Sequence, residues 1–548
     1  MSAATATQSN QHAGRPLAEW IRRIGRWLQS PAGMAAALGC IGALIWCAVA
    51  MWTRPGIPLD MAEMIGWGHQ WQWGYHKHPP LPCWIGEAIW STTGSRLMVH
   101  LFSQGATLVS LACVYRVASQ LLSPVHGLVA VAALQLSYYT HLTTLDLNHT
   151  ITCRLFWSLS LWSFFEAVTR PPSRGSSWWW VSCGVCLGLG GLAKYYIAVL
   201  AGCFALVPLA IPAYRHHLRR AGPWLMIAVA SVVVSPHIVW LFQNDFAPLQ
   251  YAMQRGSTAG AGWLDHLLNP LVFLLKQAAV WGPMSWFVYR VIASAGSGDS
   301  LGDDDDSANR LRLTYLLVLG PVFGFLLASA TTGASLRSMW GGPLWTFLPV
   351  CLLAWHPVRL NPNTSRRVFR FGAVACGVMA CVGVVGNVST PLMKQRPSRH
   401  HFATRELAEE IDTRWSTVSD EPLPIIAGPF FVASLVNMHH GDRPTVYYDA
   451  QPALAPWTSD TAMQASGGVL IWPIRSDKDR DMPTSWRDRF PTAVALEPVS
   501  VDALTPNAIR PQSFGLAAVP PATRAAESSD AISTALAPAK SSVHPTKR

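Results

Sequence analysis

Apolar runs recur along this chain at lengths that suit a bilayer rather than a soluble core. They cover residues 34–52, 96–118, 124–139, 150–168, 178–193, 195–213, 222–242, 270–292, 311–330, 341–356 and 370–390. A helix needs about 20 apolar residues to cross a hydrocarbon core, so the pattern predicts eleven transmembrane helices, with the break near residue 194 the weakest. From about residue 391 the pattern changes. RELAEEIDTRW has the period of an amphipathic helix, PIIAGPFFVASLV opens as a strand, and TVYYD and GGVLIWPI read as strands. These segments predict a small α/β domain. After about residue 515 Ala, Pro, Ser and Thr follow without a period that could bury a core, which predicts a disordered tail. The expected organisation is an N-terminal segment 1–33, a membrane domain 34–390 whose first outer loop is 53–95, an α/β domain 391–515 and a tail 516–548.

Composition agrees with a polytopic α-helical membrane protein. Of 548 residues 50% are hydrophobic and only 13% charged, with 26 tryptophans, which excludes an ordinary soluble enzyme. With the N terminus inside, alternate loops collect Arg15, Arg22, Arg23, Arg26, Arg116, Arg170, Arg174, Arg215, Arg219, Arg220, Arg290, Arg310, Arg312, Arg359, Arg366, Arg367 and Arg370. The opposite loops before residue 391 hold only Arg54, Lys77, Arg96, Lys194, Arg255 and Arg337. Positive charge therefore marks the inner side, and an odd number of helices sends the α/β domain outside. The same arginines account for much of the net charge of +11, so no nucleic-acid partner is implied. Ala48 to Ala50 has the spacing of a signal-peptide cleavage site, but ten further spans favour a retained first helix. All eleven cysteines precede residue 382, mostly within spans, and read as buried thiols, Cys183-x-x-Cys186 included. Asp303 to Asp306 reads as a solvated inner loop.

The outer loops concentrate the candidate chemistry. They carry Asp60, Glu63, Glu87, Asp146, Asp245 and Asp265 against few cations, and charges at a membrane edge are costly unless paired, solvated or used. If residues 60–73 form an interfacial helix, Asp60, Met64, Trp67 and Trp71 share a face with Glu63 at its edge. Indole rings beside a carboxylate suit a sugar, whose C–H face stacks while its hydroxyls hydrogen-bond. Asp60-x-x-Glu63 equally matches a helix capping box, and tryptophans gather at interfaces for their own reasons. His76 and His78 alternate in a proline-terminated segment and could hold a divalent ion, or could simply bond to loop backbone.

These stretches carry a resemblance. Asp60-x-x-Glu63, GYHKHPPLPCWI, TLDLNHT, GLAKYYIAVLA, SPHIVWLFQNDF and SLRSMWGGPLWTFLP stand in the same order as in the bacterial polyprenyl-phosphate-dependent glycosyltransferases. That family includes protein mannosyltransferase-like enzymes, lipid A aminoarabinose transferases and rhizobial lipopolysaccharide galacturonosyltransferases. The resemblance covers most of residues 55–350, and GYHKHPPL after the D-x-x-E is its most specific part. It implies the type C glycosyltransferase architecture and an inverting transfer of a sugar from a polyprenyl-phosphate donor to a hydroxyl of lipid A, lipopolysaccharide core, another lipid or a protein. Asp60 matches the family's general base, with Glu63 beside it, and Asp146 the second outer aspartate that orients the acceptor or helps hold a metal. Trp67, Trp71 and Tyr75 are the expected sugar or acceptor contacts. Lys77, His78, Lys194 and Arg337 are the expected donors to the leaving phosphate. His78 departs from the aminoarabinose branch, which has lysine before the first proline. A snorkelling helix end is the alternative for Lys194 and a plain loop charge for Arg337.

Nucleotide sugars are cytoplasmic, so an outward-facing site would draw on a lipid-linked donor, and the expected location is the bacterial inner membrane with active site and C terminus periplasmic. No cofactor beyond a divalent ion at His76 and His78 is implied. The rival classes are a transporter or lipid flippase, which would show repeated halves, and another membrane transferase, such as a phosphoethanolamine transferase or oligosaccharide ligase. The chain has no internal repeat, and its outer domain has no evident nucleophile with a metal cluster.

Overall fold

The computed structural model describes residues 19–20, 22–171, 176–256, 262–295, 305–394, 399–504 and 511–522. Arg15, Arg174, Asp303, Asp304 and most of the expected tail lie outside the described residues. The chain divides into two units, one of residues 1–54 and 72–390 and the other of residues 55–71 and 391–548. The first outer loop is thus split between them.

The first unit is helical. Among the described residues, six helices are long and apolar enough to cross a membrane: Pro31–Thr53, Arg96–Leu121, Ala221–Gln243, Asp265–Ala295, Asp305–Thr332 and Thr364–Pro391. A seventh is formed if Ile197–Ala210 and Pro212–Arg219, bent by 106° at their junction, count as one span. Eleven were expected, and the other apolar segments form shorter, broken or charge-bearing helices. Pro124–Leu134 has 11 residues, about 16 Å of helix, and every residue from Val125 to Leu134 is buried. A helix that is apolar all round is buried, in a core or among other spans. His149–Thr169 is long enough but carries buried Arg154 and Glu166. Residues 341–356 break into Gly341–Leu344 and Leu348–Trp355, with Pro343 and Pro349 at positions that disfavour one continuous helix.

His149–Thr169 and Ala221–Gln243 both pack against Ser176–Ala193. The second contact depends on small residues: a Cβ on Gly184 would lie 2.6 Å from the Met226 carbonyl, and one on Gly188 2.7 Å from the Val233 Cβ. Without those side chains the two backbones approach closely.

The second unit is built on a five-stranded sheet ordered β2-β1-β3-β5-β4. β1 (Ile425–Gly428) runs parallel to β2 (Thr445–Tyr448) and β3 (Gly468–Ile474), while β5 (Gln512–Val519) runs antiparallel to β3 and β4 (Val494–Val501). All four residues of β1 are buried, as befits a central parallel strand. Helices Thr404–Trp415 and Phe430–His439 follow the expected patterns, the latter completing the segment that opens with β1. β5 corrects the expected start of the tail, because QSFGLAAV is paired sheet through Val519. Its small residues conceal a strand, one of whose partners, β3, is remote in sequence.

Candidate active site

Asp60 and Glu63 lie on the helix Leu59–Gly68, which belongs to the α/β unit and packs against Phe430–His439. The capping-box alternative fails here. Pro58 occupies the N-cap position without a side-chain cap bond, so Asp60 is already inside the first turn, where the helix dipole favours its charge. Met61, Ala62, Met64, Ile65 and Trp67 are buried, and Glu63 is 8% exposed. The expected sugar-stacking face is therefore corrected. Trp67 is fully buried, its ring edge-on to Tyr448 at 6.2 Å between centroids. The helix ends at Gly68, and Trp71 lies beyond it, exposed, at φ 46°. Gly66 lets this helix sit close: a Cβ there would lie 2.5 Å from the Ser434 Oγ, and that hydroxyl is 3.0 Å from the Tyr448 hydroxyl.

Residues 72–80 belong to the helical unit and form a tight, doubly anchored turn. Tyr75 N–H donates to the His78 carbonyl at 3.1 Å and His78 N–H to the Tyr75 carbonyl at 3.3 Å, which places His76 and Lys77 at the tip. Trp84 Nε1 donates to the Gln72 carbonyl at 3.0 Å, and His237 Nδ1 lies 2.6 Å from the Trp73 carbonyl. A Cβ on Gly74 would intrude into the Trp240 ring. Tyr75 is fully buried, so it is a core residue of this turn rather than an open sugar contact. The prolines at 79 and 80 then lead into the helix Leu81–Thr93.

Around this turn the structure gathers basic side chains. The His78 ring lies 4.0 Å from that of His149, whose Nε2 is 3.8 Å from the Cys83 Sγ. Lys194 Nζ donates to the Thr150 hydroxyl at 2.9 Å and stands 5.1 Å from the centre of the Tyr196 ring. His76 and Lys77 both lie 6.0 Å from the ring centre of Tyr251. Asn148 sets the position of His149 and Thr150: its side chain accepts from Thr150 N–H and Ile151 N–H and so starts the helix His149–Thr169. Burial pushes His76 down to about 3, helped by the charge of Lys77. Burial likewise holds His78 well below the usual histidine value, and His149, Lys194, Lys77 and His76 lower it further. Both imidazoles are thus neutral at physiological pH, each with one N–H to donate. The arrangement supplies cations and neutral donors to an anion.

Of the expected phosphate contacts, Lys77, His78 and Lys194 are brought together. Arg337 is not: it is exposed and precedes the turn Ser338–Trp340, with no contact to this group among the described residues. Asp146 forms an ion pair with Arg54. Arg54 also donates to Asn387 Oδ1 at 3.1 Å, and Asn387 Nδ2 donates to the Thr53 hydroxyl at 2.8 Å. The other oxygen of Asp146, Oδ1, is buried without a hydrogen-bond partner among the described residues. Sequence reasoning passed over His149, Thr150, Tyr196 and Tyr251. The first two stand in TLDLNHT, where Asn148 before a spanning run is a readable N-cap signal; the tyrosines carry no local signal.

For a metal, neutral His76 and His78 retain a lone pair each. A trio with ligand atoms close together occurs elsewhere, at Asp412, His440 and Asp442 of the α/β unit. There Nδ1 of His440 accepts the Asp442 backbone N–H at 3.2 Å. The proton of the neutral ring is thereby assigned to Nε2, 3.3 Å from Asp412 Oδ1. That tautomer suits a histidine held between carboxylates rather than a metal ligand.

Comparison with known proteins bears on both units. Residues 77–240, which include Lys77, His78, Asp146, His149 and Lys194, match the family described as dolichyl-phosphate-mannose-protein mannosyltransferase. The chain is 27% identical over 441 residues to the lipopolysaccharide core galacturonosyltransferase RgtA of Rhizobium johnstonii, covering 76% of this chain and 81% of RgtA. It is 25% identical over 310 residues to RgtB of the same organism, a protein of the same description, covering 55% of this chain and 61% of RgtB. Among solved structures, ArnT from Cupriavidus metallidurans bound to undecaprenyl phosphate shares the fold with a TM-score of 0.59 at 12% identity, over 89% of this chain and 98% of ArnT.

Proposed function

Taking the chain as a membrane glycosyltransferase of the type C architecture, we propose that it moves a sugar from a polyprenyl-phosphate donor to a hydroxyl of an envelope glycolipid on the periplasmic face of the inner membrane. The observation that carries this reading is the convergence of Lys77, His78, His149 and Lys194 from separate segments of the helical unit. Charge develops on the phosphate oxygen as the glycosidic bond breaks, and preorganised cations and N–H donors stabilise that charge more than they stabilise the intact donor. The acceptor oxygen attacks the anomeric carbon with inversion, its proton passes to a carboxylate, and the polyprenyl phosphate leaves. The resemblance assigns the base to Asp60, which lies in the first turn of Leu59–Gly68. Asp146, ion-paired with Arg54, keeps one oxygen for an acceptor hydroxyl.

The names of RgtA and RgtB favour a hexuronic acid as the sugar and the lipopolysaccharide core as the acceptor, and undecaprenyl phosphate on ArnT supports a polyprenyl carrier. Counted over the eleven expected spans, the excess of arginine on alternate loops supports the outward orientation. A divalent ion at His76 and His78 would add positive charge at the same place, and loss of transfer on chelation, restored by one metal, tests it.

The direct experiment supplies purified protein with polyprenyl-phosphate sugars and lipopolysaccharide and detects transfer by mass spectrometry. Transfer that falls by about 10- to 100-fold in Lys77→Ala and in Lys194→Ala is expected. Absence of transfer from every polyprenyl-phosphate sugar, with the envelope glycolipids of a deletion strain unchanged, would sink the proposal. A reporter active only outside the cytoplasm should work after residue 420 and be silent after residue 300; the reverse would move the chemistry to the other face.

A further inference from the structure

Arg154 has no part in the chemistry above. It lies on His149–Thr169 and is 5% exposed. One terminal nitrogen of its guanidinium donates to the Tyr139 carbonyl and the other to the Thr107 hydroxyl, the latter at 2.6 Å. Its Nε is buried without a hydrogen-bond partner, and among the described residues no carboxylate pairs with it. An arginine cannot shed its proton, so this charge persists inside the helical unit. It also sits in the first third of a 21-residue helix, where the backbone dipole is positive and offers no compensation.

The same side chain lines a small cavity whose wall also carries Thr107, Ser110, Ser137, Thr140 and Thr346, the hydroxyls of Thr107, Ser110 and Thr346 already donating to backbone carbonyls. Ser137 Oγ accepts the Tyr139 N–H at 3.2 Å, which leaves its own proton to be donated elsewhere. A water molecule would satisfy the Nε–H and leave the charge uncompensated; a small anion would do both. Burying a charge without a counter-ion costs several kcal/mol even after relaxation, so the two occupants differ greatly in stabilisation.

We propose that this cavity is a binding site for a small inorganic monoanion of chloride size, held by Arg154 with Ser137 as a second donor.

The test uses the full-length detergent-solubilised protein, with chloride replaced by gluconate at constant sodium concentration. The expected result is a saturable rise of melting temperature with chloride, reproduced by bromide and abolished in Arg154→Met. Crystals grown in bromide should show an anomalous peak beside the guanidinium. Equal melting temperatures in chloride and gluconate, or an unchanged chloride dependence in Arg154→Met, would overturn the proposal, as would water without bromide at that position. If Arg154→Met does not fold, Ser137→Ala serves instead: a several-fold weaker chloride midpoint supports the site, and an unaltered midpoint together with no bromide peak rejects it.

Discussion

Residues 55–71 and 72–80 are consecutive in the chain, yet they are held in place by different forces. The first segment is held as a helix in a soluble α/β protein is held, with Met61, Met64, Ile65 and Trp67 buried in the second unit and Gly66 set against Ser434. The second is held by polar and aromatic contacts to helices of the first unit: Trp84 and His237 on backbone carbonyls, Gly74 against Trp240, and His78 beside His149. The candidate base therefore depends on the α/β core, and the candidate phosphate cations depend on the helical unit. Substitutions in the two segments should separate accordingly.

The largest expected effect is on Asp60. Asp60→Asn keeps size and removes proton-accepting power, so transfer should fall at least ~100-fold while donor binding persists. Because Asp60 is not an N-cap, the lost dipole interaction should itself cost about 0.3–1 kcal/mol of stability. Near-normal transfer in a folded preparation would end its candidacy. Next comes Lys194→Ala, expected to lower donor use by about 10- to 100-fold, the scale of a hydrogen bond to a charged group, with Lys194→Arg retaining part of it. Unchanged donor affinity would reduce Lys194 to a structural partner of Thr150.

A smaller effect separates the two segments by stability. Gly66→Ala puts a methyl into Ser434 and should cost about 1–3 kcal/mol in the second unit. Adding Ser434→Gly should recover part of that loss, and no recovery would mean that the helix does not depend on this contact. The smallest concerns pH. His76 and His78 have folded values below the unfolded one near 6.5, so their neutral forms favour the folded state. Their contribution is complete above pH 6.5 and is lost as pH falls below it, for His76 toward about 3, because the unfolded chain takes up protons that the folded turn resists. Each contributes at most about 1.4 kcal/mol per pH unit, less where solvent reaches the half-buried rings. Melting temperature should therefore decline from pH 7 to pH 5, and His78→Gln should flatten that decline; an identical slope in the variant would contradict the buried neutral state.

Several features were legible in the residues themselves. Long apolar runs such as Pro31–Thr53 and Ala221–Gln243 have to leave water whatever surrounds them, and amphipathic Thr404–Trp415 and apolar β3 carry their own periods. The GYHKHPPL stretch announced the cation site because rare charges beside apolar runs are costly unless used. Local pattern could not say that every residue from Val125 to Leu134 is buried, because apolar residues on every face satisfy a core and a bilayer alike. Nor could it say that Trp67 faces Tyr448, that His78 meets His149, or that Arg337 stays apart from both lysines. Those contacts join residues 71 or more positions apart. Burial and mutual distance are properties of the packed chain, so the burial of an indole and the partner of a lysine were decided only when the tertiary structure formed.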